Sequence, residues 1–244
     1  MAQPIDDTRT FPSTCWSQIR AGPEARERAL VALAERYWRP AHAYLRAMGR
    51  TRDEARDLVQ DFFVWVIESG FLAKAEPERG RFRGFLKTAL NNFAVDADRR
   101  AATHKRGGAA RVLSIGAFEE GARDAETEAW EIADPSAVAP DDALDAVWRS
   151  EVVRVALERT RARLEDAGGA QVFAVFRDYF LDPAEGVDYR ALAERHGITS
   201  VDVSNFLMRA KRAYKAELRA EVIETVGRAE DLEDELAWLI GRGA

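Results

Sequence analysis

Between residues 30 and 45 the apolar side chains fall at Leu30, Leu33, Ala34, Tyr37, Trp38, Ala41 and Leu45. Steps of three and four keep them on one face of an α-helix, so the pattern predicts a helix from Glu24 to Gly49, with Gly49 ending it. A second helix is predicted from Thr51 to Glu68. Its segment DLVQDFFVWVIE splits into a broad apolar face (Leu58, Val59, Phe62, Phe63, Trp65, Val66) and a stripe of Asp57, Gln60, Asp61, Val64 and Glu68. After SGFLAKAEPERG, the segment RGRFRGFLKTALNNFAVDADRR predicts a third helix that stops near KRGG at 105–108. Phe82, Phe85, Leu86, Ala89, Leu90, Phe93 and Ala97 make its apolar arc, with Phe85 at the edge. Arg83, Lys87 and Asn91 form one polar stripe, and Arg81, Thr88, Asn92 and Arg99 form another.

Residues 108–142 lose this periodicity and are rich in Ala, Gly, acids and Pro, which marks a linker. Helical spacing resumes at Asp141 and runs through Leu144, Val147, Trp148, Val152, Val155, Ala156 and Leu164, and a further helix covers Ala170–Leu181. The stretch YRALAERHGITSVDVSNFLM at 189–208 fits a helix-turn-helix. Leu192 and Ala193 face inward, Gly197 allows the turn, Ile198 plugs between the helices, Val203 anchors the second, and Thr199 or Ser200 caps it. A helical pair with no DNA-binding role satisfies the same template. No segment reads as a strand. The expected fold is all-α: a helical domain over 10–107, an acidic flexible linker over 108–142, a helix-turn-helix domain over 143–220 and an amphipathic extension over 221–244.

Charge changes the picture more than composition does. The 244 residues carry a net charge of −6, which argues against a nucleic-acid binder. Residues 79–111, however, hold nine Lys/Arg against Asp96 and Asp98, a balance of +7. Residues 119–145 hold ten acids against Arg123, a balance of −9. A basic block precedes an acidic one, and the average hides both. Cys15 is the only cysteine, which excludes an internal disulfide and suits a reducing cytoplasm. No basic start with an apolar stretch suggests a signal peptide, and no apolar run suggests a membrane span.

Catalytic chemistry finds no constellation. His42, His104 and His196 are scattered without metal-ligand spacing, so neither a metal nor a cofactor is expected. No glycine-rich phosphate loop ends in Lys-Ser/Thr. Asp57 and Asp61 lie one helical turn apart, but no base or nucleophile accompanies them. What the third helix offers is binding chemistry: arginines to neutralise phosphate, asparagines to bond base edges, and an edge aromatic to stack on an unpaired base.

DEARDLVQDFF, followed by RGRFRGFLKTALNNFAVDADRR, an acidic linker and the helix-turn-helix, resembles the extracytoplasmic-function (ECF) sigma factors of bacterial RNA polymerase. TFPSTCWSQI, YW at 37–38 and RGRFRGFL resemble members that bear a C-terminal extension. The resemblance spans about residues 10–220. It implies a non-enzymatic, cytoplasmic protein whose partners are core RNA polymerase and promoter DNA, and the family admits an anti-sigma factor or other regulatory protein. It implies that Asp57, Gln60 and Asp61, around Val64, dock on the polymerase clamp helices. Phe85 and Asn92 match positions that open and read the −10 element as single strand. With the basic stripes, the expected −10 surface is Arg83, Phe85, Lys87, Thr88, Asn92, Arg99 and Arg100. Ser204, Asn205, Met208, Arg209, Lys211 and Arg212 fall where the recognition helix meets the −35 element. Here the chain departs from the family, with Ser204-Asn205-Phe206 where early arginines are usual. The linker is expected to thread toward the polymerase's RNA exit path. Two readings from other classes stand beside this one: a helix-turn-helix regulator that acts without polymerase, and a protein–protein adaptor.

The tail EVIETVGRAEDLEDELAWLIGRGA places Leu232, Leu236, Leu239 and Ile240 at helical spacing, with Trp238 beside them. One expectation is a helix closing the core of the second domain. The other is regulation in cis, its acids competing with phosphate for Arg209, Lys211 and Arg212.

Overall fold

The computed structural model describes residues 23–70, 82–104, 137–226 and 230–241. Among them every regular element is a helix, eight in all: α1 Pro23–Ala47, α2 Arg52–Glu68, α3 Phe82–His104, α4 Pro140–Asp166, α5 Ala170–Phe180, α6 Tyr189–His196, α7 Ser200–Ile223 and α8 Asp231–Leu239. No helix among the described residues is long and apolar enough to cross a membrane. The molecule forms two compact units, one of Met1–Ser150 with Ile223–Ala244 and the other of Glu151–Val222. These bounds differ from those that periodicity suggests, because the start of α4 and the C-terminal helix join the first unit. Most of the expected linker lies outside the described residues, and α4 begins at Pro140, inside the expected linker's last residues. Proline suits this first helical position because the N–H it lacks has no intrahelical acceptor there, and Asp141 and Asp142 follow it at the positive end of the helix dipole.

In the first unit, α1 buries Leu33, Ala34, Tyr37, Ala41 and Leu45. Its end is set by Gly49, whose φ of 88° lies where a side chain would be strained. A reciprocal cap starts α2. Thr51 Oγ1 accepts from the Glu54 N–H at 3.3 Å, and the Glu54 carboxylate accepts from the Thr51 N–H at 2.9 Å. Aromatic rings then fasten the three helices. Phe62 meets Phe93 at 5.6 Å, Tyr37 meets Phe82 at 5.2 Å, and Trp38 stacks on Phe63 at 6.2 Å. Burial pushes the Tyr37 hydroxyl above its ordinary range, against the nearby charges of Arg36 and Arg83.

The second unit has its own core of Leu164, Val172, Val175, Phe176, Leu192, Val203, Leu207 and Ala210. Arg159–Glu221 at 2.9 Å and Arg163–Glu217 at 2.8 Å tie α4 to α7. Asp178 on α5 accepts from His196 at 3.0 Å and lies 3.5 Å from Arg195, which secures the end of α6. Burial works against the Asp178 charge, but hydrogen bonds from Arg177 and His196 hold its carboxyl below the ordinary range. Gly197 ends α6 with φ 63° and ψ 38°, and Ile198, partly buried, packs on the core beyond it. Thr199 caps α7: its Oγ1 accepts from the Asp202 N–H at 3.1 Å, and Asp202 accepts from the Thr199 N–H at 3.1 Å.

Candidate functional site

The polar residues of α2 and α3 meet along an open groove of about 580 Å³ in the first unit. Asp61, Val64, Trp65 and Glu68 form its α2 wall, and Ala89, Asn92, Phe93, Asp96, Arg99 and Arg100 its α3 wall. The floor is aromatic, with Trp65 and Phe93 at 5.7 Å, and the Arg100 guanidinium lies 5.6 Å from the Phe93 ring. Arg99 binds Asp96 at 3.2 Å. Partial burial and then the neighbouring Asp57 raise the Asp61 carboxyl above its ordinary range, opposed by Arg100. Such a groove offers an aromatic floor, an amide and paired charges of both signs. Those are the groups that grip a polar partner along its length without reacting with it.

The expected residues are thus partly gathered and partly dispersed. Asp57 and Asp61 are exposed and Gln60 is half-buried, all on α2. Val64 is only 8% exposed, so it is a core residue at the groove wall and not the apolar centre of an open stripe. The sequence wheel missed this because α3 covers a flank of α2 that the wheel leaves to solvent. Phe93, expected inside the core, is half-buried on the groove floor. Thr88 and Asn92 are exposed and Phe85 is half-buried beside Phe82, 6.2 Å away.

Arg83 and Lys87 require the largest correction. Expected on an open basic stripe, Arg83 is 7% exposed. Its Nε lies 2.9 Å from Asp145 of α4 and its Nη1 2.6 Å from Glu235 of α8. Its guanidinium lies against two indoles, 4.6 Å from Trp148 and 3.8 Å from Trp238. Lys87 binds Asp145 at 2.9 Å and approaches Asp141 at 3.8 Å. In this arrangement neither side chain faces a phosphate. The tail expectations are corrected with them: α8 forms, but it packs into the first unit around Arg83, with Leu232 and Leu239 buried, and not into the core of the second.

In the second unit a basic groove runs along α7. Ser204, Met208, Lys211 and Arg212, four of the six expected residues, line it with Leu207, Tyr189 and Lys215. Asn205 and Arg209 are exposed on the same helix. The Arg209 guanidinium, however, lies over Gly169, where an added Cβ would meet it at 3.2 Å. Phe206 is partly buried against the core of the second unit. Lys215 was legible as the next step of the 208, 211, 212 series, whereas Tyr189 reaches the groove from α6 and carries no such signal.

Residues 33–103 match the family model described as Sigma-70 region 2. The matched span, under a third of the chain, runs from α1 to the last turn of α3 and contains the whole α2–α3 groove. It supports a sigma factor, a class of transcription-initiation protein that is not an enzyme. Comparison of the chain with curated proteins and with solved structures finds no match.

Proposed function

We propose that this protein is an ECF-type sigma factor, which binds core RNA polymerase through α2 and promoter DNA through α3 and α7. One observation carries the reading: the region similar to Sigma-70 region 2 contains the groove that joins Asp61 and Val64 to Asn92, Arg99 and Arg100. In this reading Asp57, Gln60 and Asp61 meet the polymerase. Phe85, Thr88, Asn92, Arg99 and Arg100 meet the melted −10 strand, where an aromatic edge stacks on a base and arginines track phosphate. The second unit brings a short helix, a glycine turn and a long basic helix, a helix-turn-helix arrangement for duplex recognition. Ser204, Asn205, Met208, Lys211 and Arg212 then contact the −35 element, joined by Lys215 and Tyr189.

Co-purification with core polymerase followed by run-off transcription tests the proposal. Asp61→Lys, a surface change, should weaken core binding with the fold intact. Asn92→Ala should leave stability unchanged but shift preference at one −10 position by about 1–3 kcal/mol. Unaltered core affinity in the first variant removes the polymerase contact. An unaltered ranking of promoter variants in the second removes the base-reading role. Duplex binding without any core association would favour the polymerase-independent regulator.

A further inference from the structure

Helix α7 changes character along its exposed stripe. Val201, Ser204, Asn205 and Met208 recur at steps of three, one and three, which keeps them on one face of its first two turns. All four are exposed, and none is charged. Val201 and Met208 are 69% and 57% exposed, on a helix whose other side buries Val203, Leu207 and Ala210. The acid in these turns, Asp202, is occupied by the cap at Thr199. Beyond Met208 the same stripe turns basic, with Arg212 and Lys215 exposed on it. The other two cations of the helix middle engage α5 at its two ends. Arg209 lies over Gly169, and the Lys211 ammonium sits 4.5 Å from the Phe180 ring.

One exposed apolar side chain is ordinary on a surface. Two on one stripe, around a hydroxyl and an amide and followed by cations, make an ordered face. Its basic end selects a polyanion, and its neutral start then lies against whatever the polyanion presents between phosphates. In the major groove of a duplex those are base edges. Guanine is read best by an arginine or lysine at O6 and N7, and the first two turns of this stripe hold neither. Thymine offers a methyl group to an apolar side chain, and adenine offers N6 and N7 to an amide. Val201 and Met208 are seven residues apart, about 10.5 Å along the helix, or roughly three base-pair steps of ~3.4 Å.

We propose that α7 reads its duplex through thymine methyl groups, with Val201 and Met208 as the specificity-determining side chains. Asn205 hydrogen-bonds an adenine between them, and Arg212 and Lys215 hold phosphates. The proposal rests on the promoter-binding reading above and names what its −35 contact recognises: an A·T-rich site without a guanine anchor.

The test enriches duplexes from a randomised pool on the full chain, alone and with core polymerase, then rebuilds the best one with deoxyuridine for thymine. Uracil pairs as thymine does but lacks the 5-methyl group. The enriched site should hold adjacent A·T pairs. Two lost methyl contacts, about fourfold each, should weaken the uracil duplex roughly fifteenfold. Val201→Ala with Met208→Ala should melt like the wild type and bind the thymine and uracil duplexes equally. Lys215→Gln should weaken both duplexes alike and lower the salt slope by about 1. A uracil duplex that binds as tightly as its thymine parent overturns the proposal and leaves the promoter reading standing. So does an enriched site centred on guanine, or a uracil penalty that survives the two alanines. Loss of the wild-type melt in the alanine variant overturns it too, because both side chains would then belong to the fold. If neither the chain nor its polymerase complex binds any duplex, the promoter reading fails and the proposal falls with it.

Discussion

Helix α3 carries two pairs of basic residues with opposite fates. Arg83 and Lys87, near its start, have side chains 8% and 15% exposed and are held by Asp145 and Glu235. Arg99, near its end, has a side chain 76% exposed and pairs with its turn-mate Asp96, and Arg100 is exposed beside it. All four residues are basic and share one helix. What differs is whether another element crosses overhead. A count of basic residues therefore measures how much charge a surface could carry, and the packing of remote segments decides how much it does carry.

The contrast is broken most directly by truncating one arginine of each kind. Arg83→Ala should cost about 3–5 kcal/mol, because it strips the cation from buried Glu235 and from Asp145. Arg99→Ala should stay within about 0.5 kcal/mol, as surface changes do. Thermal or denaturant unfolding of the two variants measures both, and equal costs would erase the distinction. Phe93→Ala refines the middle of the helix. A half-buried ring on a groove floor should cost about 2 kcal/mol, short of the ~3–5 kcal/mol of a fully buried aromatic. A cost at the upper figure would return Phe93 to the core.

A carboxylate surrounded by cations gives the mirror image in the second unit. Asp178 has its carboxyl held below the ordinary range by Arg177 and His196. The stability this contributes is present above the ordinary carboxylate range and is lost as the pH falls through the lowered value. Asp178→Asn should cost about 1–2 kcal/mol at neutral pH, since Arg177 and Arg195 are half-exposed and screened by solvent. The difference from wild type should vanish in acid. Melts of both proteins from neutral pH downward check the sign, and a gap that widens in acid would refute it.

Local patterns were legible and remote ones were not. Apolar spacing predicts a helix over 51–68, and α2 is Arg52–Glu68 with Thr51 as its cap. It predicts one over 170–181, and α5 is Ala170–Phe180. The exposed face of α7 at 204, 205, 208, 209, 211 and 212 was also readable, because a helix that buries Val203, Leu207 and Ala210 must turn those residues outward. Val64 and Arg83 were misread for one shared reason. A helical wheel records one apolar face per helix, and both residues are covered by a second neighbour. For Arg83 that neighbour includes Glu235, 152 positions along the chain. No local window contains such a pairing. The basic block was visible, but its division into covered and open halves was not.

The same separation has a consequence for a chain still being made. Synthesis proceeds at roughly 5–20 residues per second, so on the order of ten seconds or more separates the emergence of Arg83 from that of Glu235. Throughout that interval Arg83 lacks the Glu235 carboxylate, and Trp148, once made, has no Trp238 to meet. The N-terminal unit is therefore not finished when its own helices have formed. Translation products that stop before residue 230 should be cut by protease more readily around α3 than the full chain is. A fragment of residues 1–150 prepared for study would be a more basic and less complete surface than the one the whole protein carries.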